Sequence, residues 1–176
     1  MNTNTTTQKI PGIRLYHANG RGTGCAIRIT ARAASRHQDG AIFLTFINQL
    51  TIGDRAKGIP PKWDGDGRQT IKLDLVETGE ILQVLRGELE QIADGRGIVH
   101  RQHATKTTKT LKFAHIVEPV HGYVLELYTH KDEGGETAHR FILNGAESMV
   151  VAEAVGCEVR AMAFGDPTAS DHESQE

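Results

Sequence analysis

The stretch KLDLVETGEIL, residues 72–82, changes its hydrophobic period partway along. Apolar and polar residues alternate from Ile71 to Leu75, which is the period of a half-buried β-strand. After that, apolar residues recur three or four positions apart, which predicts an amphipathic helix over residues 77–93, ended by the turn signal DGRG at 94–97. The expected apolar face of this helix consists of Ile81, Leu82, Leu85, Leu89 and Ile92.

The same strand-to-helix pattern recurs in RFILNGAESMV, residues 140–150. Aligning the two stretches places Lys72 on Arg140. In the second stretch Asn144 is suited to cap a helix, and Glu147 stands three positions later, as in a capping box. The pattern therefore predicts a second closing helix.

Three further segments recur in the same order with similar gaps. The matched segments are 15–17 with 99–101, 27–29 with 111–113, and GAIFLTF at 40–46 with GYVLELY at 122–128. Because order and spacing are kept, we predict an internal duplication. The fold class is α+β: two β-β-β-β-α repeats, residues 10–95 and 96–165, with antiparallel sheets packed on helices. The first strands of the repeats are expected at Ile13–His17 and Ile98–Arg101.

Length and composition bound the class of protein. The 176 residues suit one domain, predicted at 10–165 between a polar tail at 1–9 and an acidic tail at 166–176. No apolar run approaches the roughly 18–20 residues that a membrane span needs. Cys25 and Cys157 lie far apart without a CxxC spacing, and the N-terminus lacks a secretion-signal pattern. We therefore expect a reducing, cytoplasmic compartment.

The charge is distributed unevenly along the chain. The formal net charge is −2, but the segment 9–72 holds 11 Lys and Arg against 4 Asp and Glu. The last eleven residues hold 4 acids and no Lys or Arg. A basic front with an acidic end is compatible with a nucleic-acid partner, and equally with an ordinary surface followed by a solvated tail.

Strand alternation places four basic side chains on the sheet faces that the helices leave open, namely Arg28, Lys72, Lys112 and Arg140. A basic sheet face can follow a phosphate backbone. The alternative is that these residues only keep the sheets soluble. Basic residues at equivalent positions of both repeats favour the functional interpretation.

The first hairpin, LYHANGRGTGCAIRIT at 15–30, carries Gly20, Gly22 and Gly24 around Arg21 and Thr23. Such a loop can be a plain hairpin, a phosphate cradle, or a point where another backbone comes close. A strand follows it, so it lacks the helix N-terminus of a dinucleotide or P-loop site.

The single tryptophan, Trp63, stands in GIPPKWDGDGRQ between Lys62 and Arg68. An aromatic ring in a basic loop suits base stacking, and the alternative is that Trp63 pins its loop to the sheet. By parity, Tyr123 and Tyr128 face opposite sides of one strand, so one of them belongs to the core.

Catalytic and metal signatures are absent from the sequence. It contains no GxSxG and no GxxxxGK[ST], and Cys25 lies in a strand without an evident base. Among nine histidines, the pair His100 and His103 has the wrong spacing for one strand face. Asp64-x-Asp66 is more simply a turn than a cation site. We predict a protein that is not an enzyme and needs neither cofactor nor metal.

The doubled β-β-β-β-α layout, from about residue 10 to residue 164, resembles the Whirly family of single-stranded DNA-binding proteins. That family carries Lys-Gly-Lys-Ala-Ala-Leu at the start of its second strand. Here Arg21-Gly22 stand for Lys-Gly, and Cys25-Ala26-Ile27 stand for Ala-Ala-Leu. The second lysine is replaced by Thr23-Gly24, with one extra residue.

The resemblance implies a homotetramer with helices at its centre, whose outward sheets bind single-stranded DNA with little sequence preference. The low cysteine content and the absence of a signal or transit-peptide pattern favour the cytoplasm and nucleoid of a bacterium, or of a phage or mobile element, and we expect a role in replication, recombination or repair. The acidic tail can recruit protein partners or can simply be a solubilising end. The alternatives are an RNA-binding protein or RNA chaperone of the same fold, and an oligomeric scaffold. The candidate nucleic-acid-binding residues are Tyr16, His17, Arg21, Thr23, Arg28, Lys62, Trp63, Arg68, Lys72, Lys106, Lys109, Lys112 and Arg140.

Overall fold

A computed structural model describes residues 12–32, 34, 38–118 and 121–164. The tails predicted at 1–9 and 166–176 lie outside these residues. The strands are β1 (Ile13–His17), β2 (Cys25–Arg32), β3 (Ala41–Asn48), β4 (Gln69–Leu73), β5 (Ile98–Gln102), β6 (Thr107–Ile116), β7 (Gly122–Lys131) and β8 (Glu136–Leu143). The α-helices are α1 (Leu75–Leu85) and α2 (Gly145–Phe164), and a 3₁₀ turn covers Ile92–Gly95.

The eight strands form two antiparallel four-stranded sheets, in the orders β1-β2-β3-β4 and β5-β6-β7-β8. Each sheet is followed directly by a helix. The predicted α+β class with two β-β-β-β-α repeats is therefore confirmed. No helix in the described ranges has the length and apolar character that crossing a bilayer requires.

Both helices begin with the same capping arrangement. The Glu77 backbone N–H donates to the Asp74 carboxylate at 2.8 Å, and the Glu77 carboxylate accepts from the Asp74 N–H at 3.0 Å. The predicted box at Asn144 and Glu147 has corresponding bonds of 2.9 and 3.0 Å. Each box satisfies two backbone donors and fixes where its helix starts.

Helix α1 is shorter than its hydrophobic period predicts. It ends at Leu85, and Gly87 follows in the left-handed region with φ 75°. The chain then turns, so Leu89 is 40% exposed while Ile92 is buried in the 3₁₀ turn. The prediction of a helix through residue 93 was wrong, because a left-handed glycine ends the helix although the apolar spacing continues.

The two repeats correspond in a register that differs from the sequence alignment. Matching the caps equates Asp74 with Asn144, an offset of 70 residues. Lys72 then corresponds to Ile142, and Arg140 corresponds to Thr70. The predicted equivalence of Lys72 and Arg140 was wrong, because the strand pairing, in which Phe46 lies opposite Gln69 and Leu127 lies opposite His139, gives the same offset of 70 as the caps.

Of the other three segments, 27–29 keeps its match with 111–113, and relative to it the remaining two are each displaced by one residue. Leu15 pairs with Ile27 and Ile98 pairs with Leu111, so the first strands match at an offset of 83 and His17 corresponds to His100. In segments 40–46 and 122–128, Phe46 lies opposite Ile27, and Leu127 lies opposite Leu111. Phe46 therefore corresponds to Leu127, whereas the sequence alignment had placed it on Tyr128. A one-residue slip moves a side chain to the other face of a sheet, so these corrections decide which residues share a surface.

The two repeats share one hydrophobic core. Helices α1 and α2 pack on each other, and α1 contacts β6 of the second sheet as well as β3 of its own. The largest buried side chains come from both sheets and from α1, and include Phe46, Leu73, Val84, Phe113, Phe141 and Leu143. The inner faces of the sheets are thus covered, and the opposite faces, called the outer faces below, carry no helix.

Candidate nucleic-acid interface

Two arginines lie side by side on the outer face of the first sheet. Arg14 on β1 pairs directly with Arg28 on β2, and Thr45 and Thr70 continue the row across β3 and β4. Within the part of the chain that the structure describes, neither arginine has a carboxylate at salt-bridge distance. The Nε atom of Arg28 is shielded from solvent and has no hydrogen-bond partner there. Two adjacent guanidinium groups without a counter-charge attract an anion.

A half-buried ring continues this outer face. Phe43 on β3 lies opposite the exposed Lys72 on β4 and opposite Thr30 on β2. The guanidinium carbon of Arg32 is 5.5 Å from the centre of the Phe43 ring. The first sheet therefore presents cations next to an apolar ring, which is the combination that unpaired nucleotides require.

Tyr16 and Trp63 form an aromatic pair at the other end of the face. Their ring centroids are 5.5 Å apart at an interplanar angle of 60°, and Tyr16 is 55% exposed. Trp63 also bridges to Gln49, and the Asp64 N–H donates to the Asn48 carbonyl at 2.9 Å. Trp63 thus does pin its loop, as one of the two interpretations held, while its contact with Tyr16 extends the outer face. Lys62 and Arg68 stand on either side of it in sequence, and both are exposed.

The glycine loop is a hydrogen-bonded turn. The Asn19 side chain accepts from the backbone N–H groups of Arg21 and Thr23 at 3.0 and 3.1 Å, and donates to the Thr23 hydroxyl at 3.1 Å. A Cβ at Gly24 would overlap the carbonyl oxygen of His17, whereas Gly20 faces open space. At Gly24 the backbone that comes close is that of β1 in the same hairpin. The Arg21 side chain is exposed at the rim of the first sheet.

His17 does not share the surface of its neighbour Tyr16. Its Nε2 lies 2.7 Å from Oε1 of Glu147 in α2, and its ring stacks on Phe141 with 4.2 Å between centroids. The corresponding His100 lies 2.6 Å from Glu77 in α1. Each histidine thus joins its repeat to the capping glutamate of the other. Sequence reasoning missed both contacts because they join residues 130 and 23 positions apart in the chain.

The outer face of the second sheet carries mixed charge. Lys112, Glu126 and Arg140 form one row, and Arg140 Nε is 3.3 Å from the Glu126 carboxylate. Tyr128 donates to Glu126 at 3.0 Å, and Lys112 Nζ lies 5.7 Å from the Tyr128 ring. Burial, followed by this bond and the charge of Glu126, raises the pKa of Tyr128. Lys112 and Arg140 occupy the predicted face, but Glu126 offsets part of their charge.

The prediction that one of the two tyrosines on β7 belongs to the core is confirmed. Tyr123 packs against the core, stacks on Phe113 with 5.8 Å between centroids, and donates to the Leu85 carbonyl at 3.3 Å.

Two predicted lysines lie away from the outer faces. Lys106 is exposed in the β5–β6 turn and pairs with Glu133 at 3.6 Å. Lys109 has the parity of the inner face of β6, and its Nζ donates to the Thr70 carbonyl of β4 at 2.7 Å. Burial lowers the pKa of Lys109. Lys109 therefore belongs to the boundary between the sheets.

A groove of about 680 Å³ opens between the glycine loop and the β3–β4 connection. The connection forms a small hairpin in which Asp54 and Ile59 exchange two backbone bonds of 2.8 Å. Ile52 and Ile59 are 54% and 50% exposed in it. Sequence reasoning missed this groove, whose only local signal is a pair of apolar residues among turn formers.

Cys25 and Asp64, the residues weighed in sequence for catalysis and for cation binding, occupy a buried strand and a turn. Burial, partly offset by backbone hydrogen bonds, raises the pKa of Cys25 to about 11, so its thiol is not a nucleophile at neutral pH. Asp64 closes a turn by accepting from the Gly67 N–H at 2.9 Å. Among the described residues, no three His, Cys, Asp or Glu side chains come together to hold a metal ion.

Two four-stranded antiparallel sheets, each closed by a helix around a common core, define a fold shared with plant proteins of known structure. The chain superposes on WHY1 from Arabidopsis thaliana with a TM-score of 0.68 and 18% identity, over 88% of this chain and 86% of that one. For WHY3 from the same plant the TM-score is 0.70 and the identity 17%, over 90% and 91% of the two chains. No protein-family model and no curated protein sequence matches the chain. The chain has the Whirly fold.

Proposed function

We propose that this protein binds single-stranded DNA with little sequence preference. The observation that carries the proposal is the outer face of the first sheet, where Arg14 and Arg28 lie together without a counter-charge in the described ranges, beside the exposed Tyr16 and the half-buried Phe43. Phosphates attach to cations by releasing counterions, and bases stack on rings regardless of their identity. The Whirly fold supports the same conclusion.

The proposed contacts divide by chemistry. Arg14, Arg28 and Lys72 contact phosphates on the outer face of the first sheet. Further phosphate contacts at the rim of this face come from Arg21, Lys62 and Arg68. Tyr16 and Trp63 provide stacking surfaces, each worth about 1–3 kcal/mol per base. The second sheet contributes Lys112 and Arg140. No catalytic step and no cofactor is part of this function.

We further propose that the protein assembles as a homotetramer with its helices at the centre. Val76 on α1 and Met149 on α2 are each 72% exposed, and Val150 is 58% exposed. Exposed apolar residues on both helices favour burial against other copies. The cellular setting that we propose is the cytoplasm and nucleoid of a bacterium, or of a cell carrying a phage or mobile element, during replication, recombination or repair, with segment 166–176 recruiting protein partners.

The direct test is fluorescence anisotropy of a labelled oligo(dT) of about 30 nucleotides, against duplex of equal length, at low and moderate salt. We expect binding to the single strand alone, weakening steeply as salt rises. Salt-insensitive binding would contradict the phosphate contacts, and no binding would leave the oligomeric scaffold as the function. Competition by RNA of equal length distinguishes the RNA-binding alternative.

A charge-reversal pair tests the surface itself. Arg14→Glu with Arg28→Glu is expected to lower the affinity for oligo(dT) about 100-fold or more, because each substitution replaces a cation with an anion at a proposed phosphate contact. The control, Arg96→Glu with Lys131→Glu, changes the net charge equally at exposed positions off this face. An equal loss in the two variants would show that net charge, and not this face, governs binding.

A further inference from the structure

A second basic site lies where the two sheets meet. The edge strands β4 and β5 flank an open cleft of about 450 Å³, called the seam cleft below. Its lining includes Thr70, Lys72, Val99, His100, Arg101 and Lys109. By strand parity, Lys72 belongs to the outer face of the first sheet, and Val99 and Arg101 belong to the outer face of the second. The seam cleft therefore adjoins both outer faces.

The cations of the seam cleft exceed its acids. Lys72 is exposed and has no carboxylate within salt-bridge distance in the described ranges. Lys109 is half-buried, and the partner of its Nζ is the neutral Thr70 carbonyl at 2.7 Å. A half-buried ammonium group without a counter-ion is costly, and an anion in the cleft would relieve that cost.

Two residues that line the cleft, His100 and Arg101, are each bound to an acid. Glu77 is bound to His100 at 2.6 Å, and Asp132 is bound to one terminal nitrogen of Arg101 at 3.3 Å. Arg101 remains 60% exposed and keeps further N–H donors for a ligand. The cleft thus offers two ammonium groups without a carboxylate partner among the described residues, and part of a guanidinium group.

The shape of the site selects the ligand. Lysine and arginine donors from neighbouring strands match the oxygens of a phosphate group. The cleft opens to solvent along its length, so it suits a phosphate within a continuous chain better than an enclosed small molecule. Val99 stands beside it as an apolar surface, 58% exposed.

We propose that the seam cleft binds a backbone phosphate of a single strand that passes from the first sheet to the second within one subunit, held by Lys72, Lys109 and Arg101. This inference rests on the proposed function and adds to it the path of the strand. A strand bound in this way contacts both outer faces. An oligonucleotide too short to leave the first sheet does not reach Arg101 and Lys109.

The test compares Arg101→Gln with Lys109→Gln, made together, against wild type on oligo(dT) of about 6 and about 20 nucleotides, and leaves Lys72 intact because it also belongs to the outer face of the first sheet. For the longer strand we expect an affinity about tenfold lower and a salt slope reduced by about 0.7 for each phosphate that the variant no longer neutralises. The affinity for the shorter strand is expected to change less than about threefold, because a strand confined to the first sheet does not reach Arg101 and Lys109. The matched control is Lys57→Gln with Lys131→Gln, which removes two exposed lysines outside the cleft.

The outcomes separate the inference from the function it rests on. If wild type binds neither oligonucleotide, the proposed function fails. If wild type binds and the cleft variant keeps the wild-type slope and affinity, only the seam cleft is overturned. Lys109→Gln removes the bond to Thr70 and can therefore lower the Tm. Lys109→Arg keeps the positive charge and is expected to keep the wild-type dependence of affinity on salt. A lower Tm with an unchanged slope would assign Lys109 a purely structural role.

Discussion

Single residues of the glycine loop differ in what the fold demands of them. A Cβ at Gly24 would overlap the His17 carbonyl and stand 2.9 Å from Ala18 Cα, whereas no atom lies within 4 Å of the corresponding position at Gly20. The sequence shows three alternating glycines and cannot rank them, because close approach is a property of the paired strands. The loop thus combines one obligatory glycine with one that is free to vary.

Gly24→Ala is expected to lower the free energy of unfolding by about 1–3 kcal/mol, since the added methyl group overlaps backbone. Gly20→Ala, the matched control in the same loop, is expected to stay within about 0.5 kcal/mol of wild type. Urea denaturation measures both. Equal effects of the two substitutions would show that the close approach at Gly24 is not rigid.

His139 is a buried titratable group outside the proposed interface. It is 1% exposed, and its Nδ1 has no hydrogen-bond partner among the described residues. Burial lowers its pKa, against smaller raising effects from a backbone bond to Gly67 and the charge of Asp64. The folded protein therefore favours the neutral imidazole.

This lowered pKa predicts acid sensitivity. As pH falls below about 6.5, the unfolded chain takes up a proton at His139 that the folded chain resists, so stability falls by up to about 1.4 kcal/mol per pH unit. Thermal unfolding between about pH 7 and about pH 5 should show a shallower decline for His139→Gln than for wild type. The exposed His130→Gln is the control. If the stability of His139→Gln falls with pH as steeply as that of wild type, His139 is not the cause of the acid sensitivity.

At the level of the secondary-structure elements, each helix start also joins the two repeats. Glu147 caps α2 through Asn144 and binds His17 of β1, while Glu77 caps α1 through Asp74 and binds His100 of β5. The caps were readable from sequence because their partners lie three residues apart. The histidine contacts were not, because they join residues 130 and 23 positions apart.

Glu147→Ala is expected to cost about 1–3 kcal/mol, because it removes both a cap and a contact between repeats. Glu153→Ala, an exposed position on the same helix, is expected to cost less than about 0.5 kcal/mol. Chemical denaturation of the two variants checks the difference. Similar costs would indicate that the cap and the His17 contact add nothing to the stability of α2.

In the molecule as a whole, the exposed apolar side chains of the two helices carry the assembly prediction. Val76→Asp with Met149→Asp is expected to convert the oligomer to a monomer of unchanged secondary structure, because two charges would enter an apolar interface. Light scattering coupled to size-exclusion chromatography measures the mass, and circular dichroism checks the fold. Val117→Asp, at a residue 66% exposed outside the helices, is the control. A wild type that is monomeric at micromolar concentration would contradict the prediction.

Local sequence patterns were enough to predict the order of strands and helices, the cap of α2 and the parity of side chains along each strand. These features follow from hydrophobic period and from hydrogen bonds between near neighbours, which are local properties. The end of α1 escaped the pattern because the conformation of Gly87 overrode the apolar spacing.

The correspondence of the repeats, and the set of side chains that share a surface, came from the three-dimensional packing. In the sequence Lys109 is a basic residue of a predicted strand. In the structure it lies at the boundary between the two sheets, bound to Thr70. Glu126 offsets the charge of Arg140 on the second sheet, while Arg14 and Arg28 on the first have no such neighbour among the described residues. Strand register and the packing of one sheet beside another set these placements, and both depend on contacts between residues far apart in the chain.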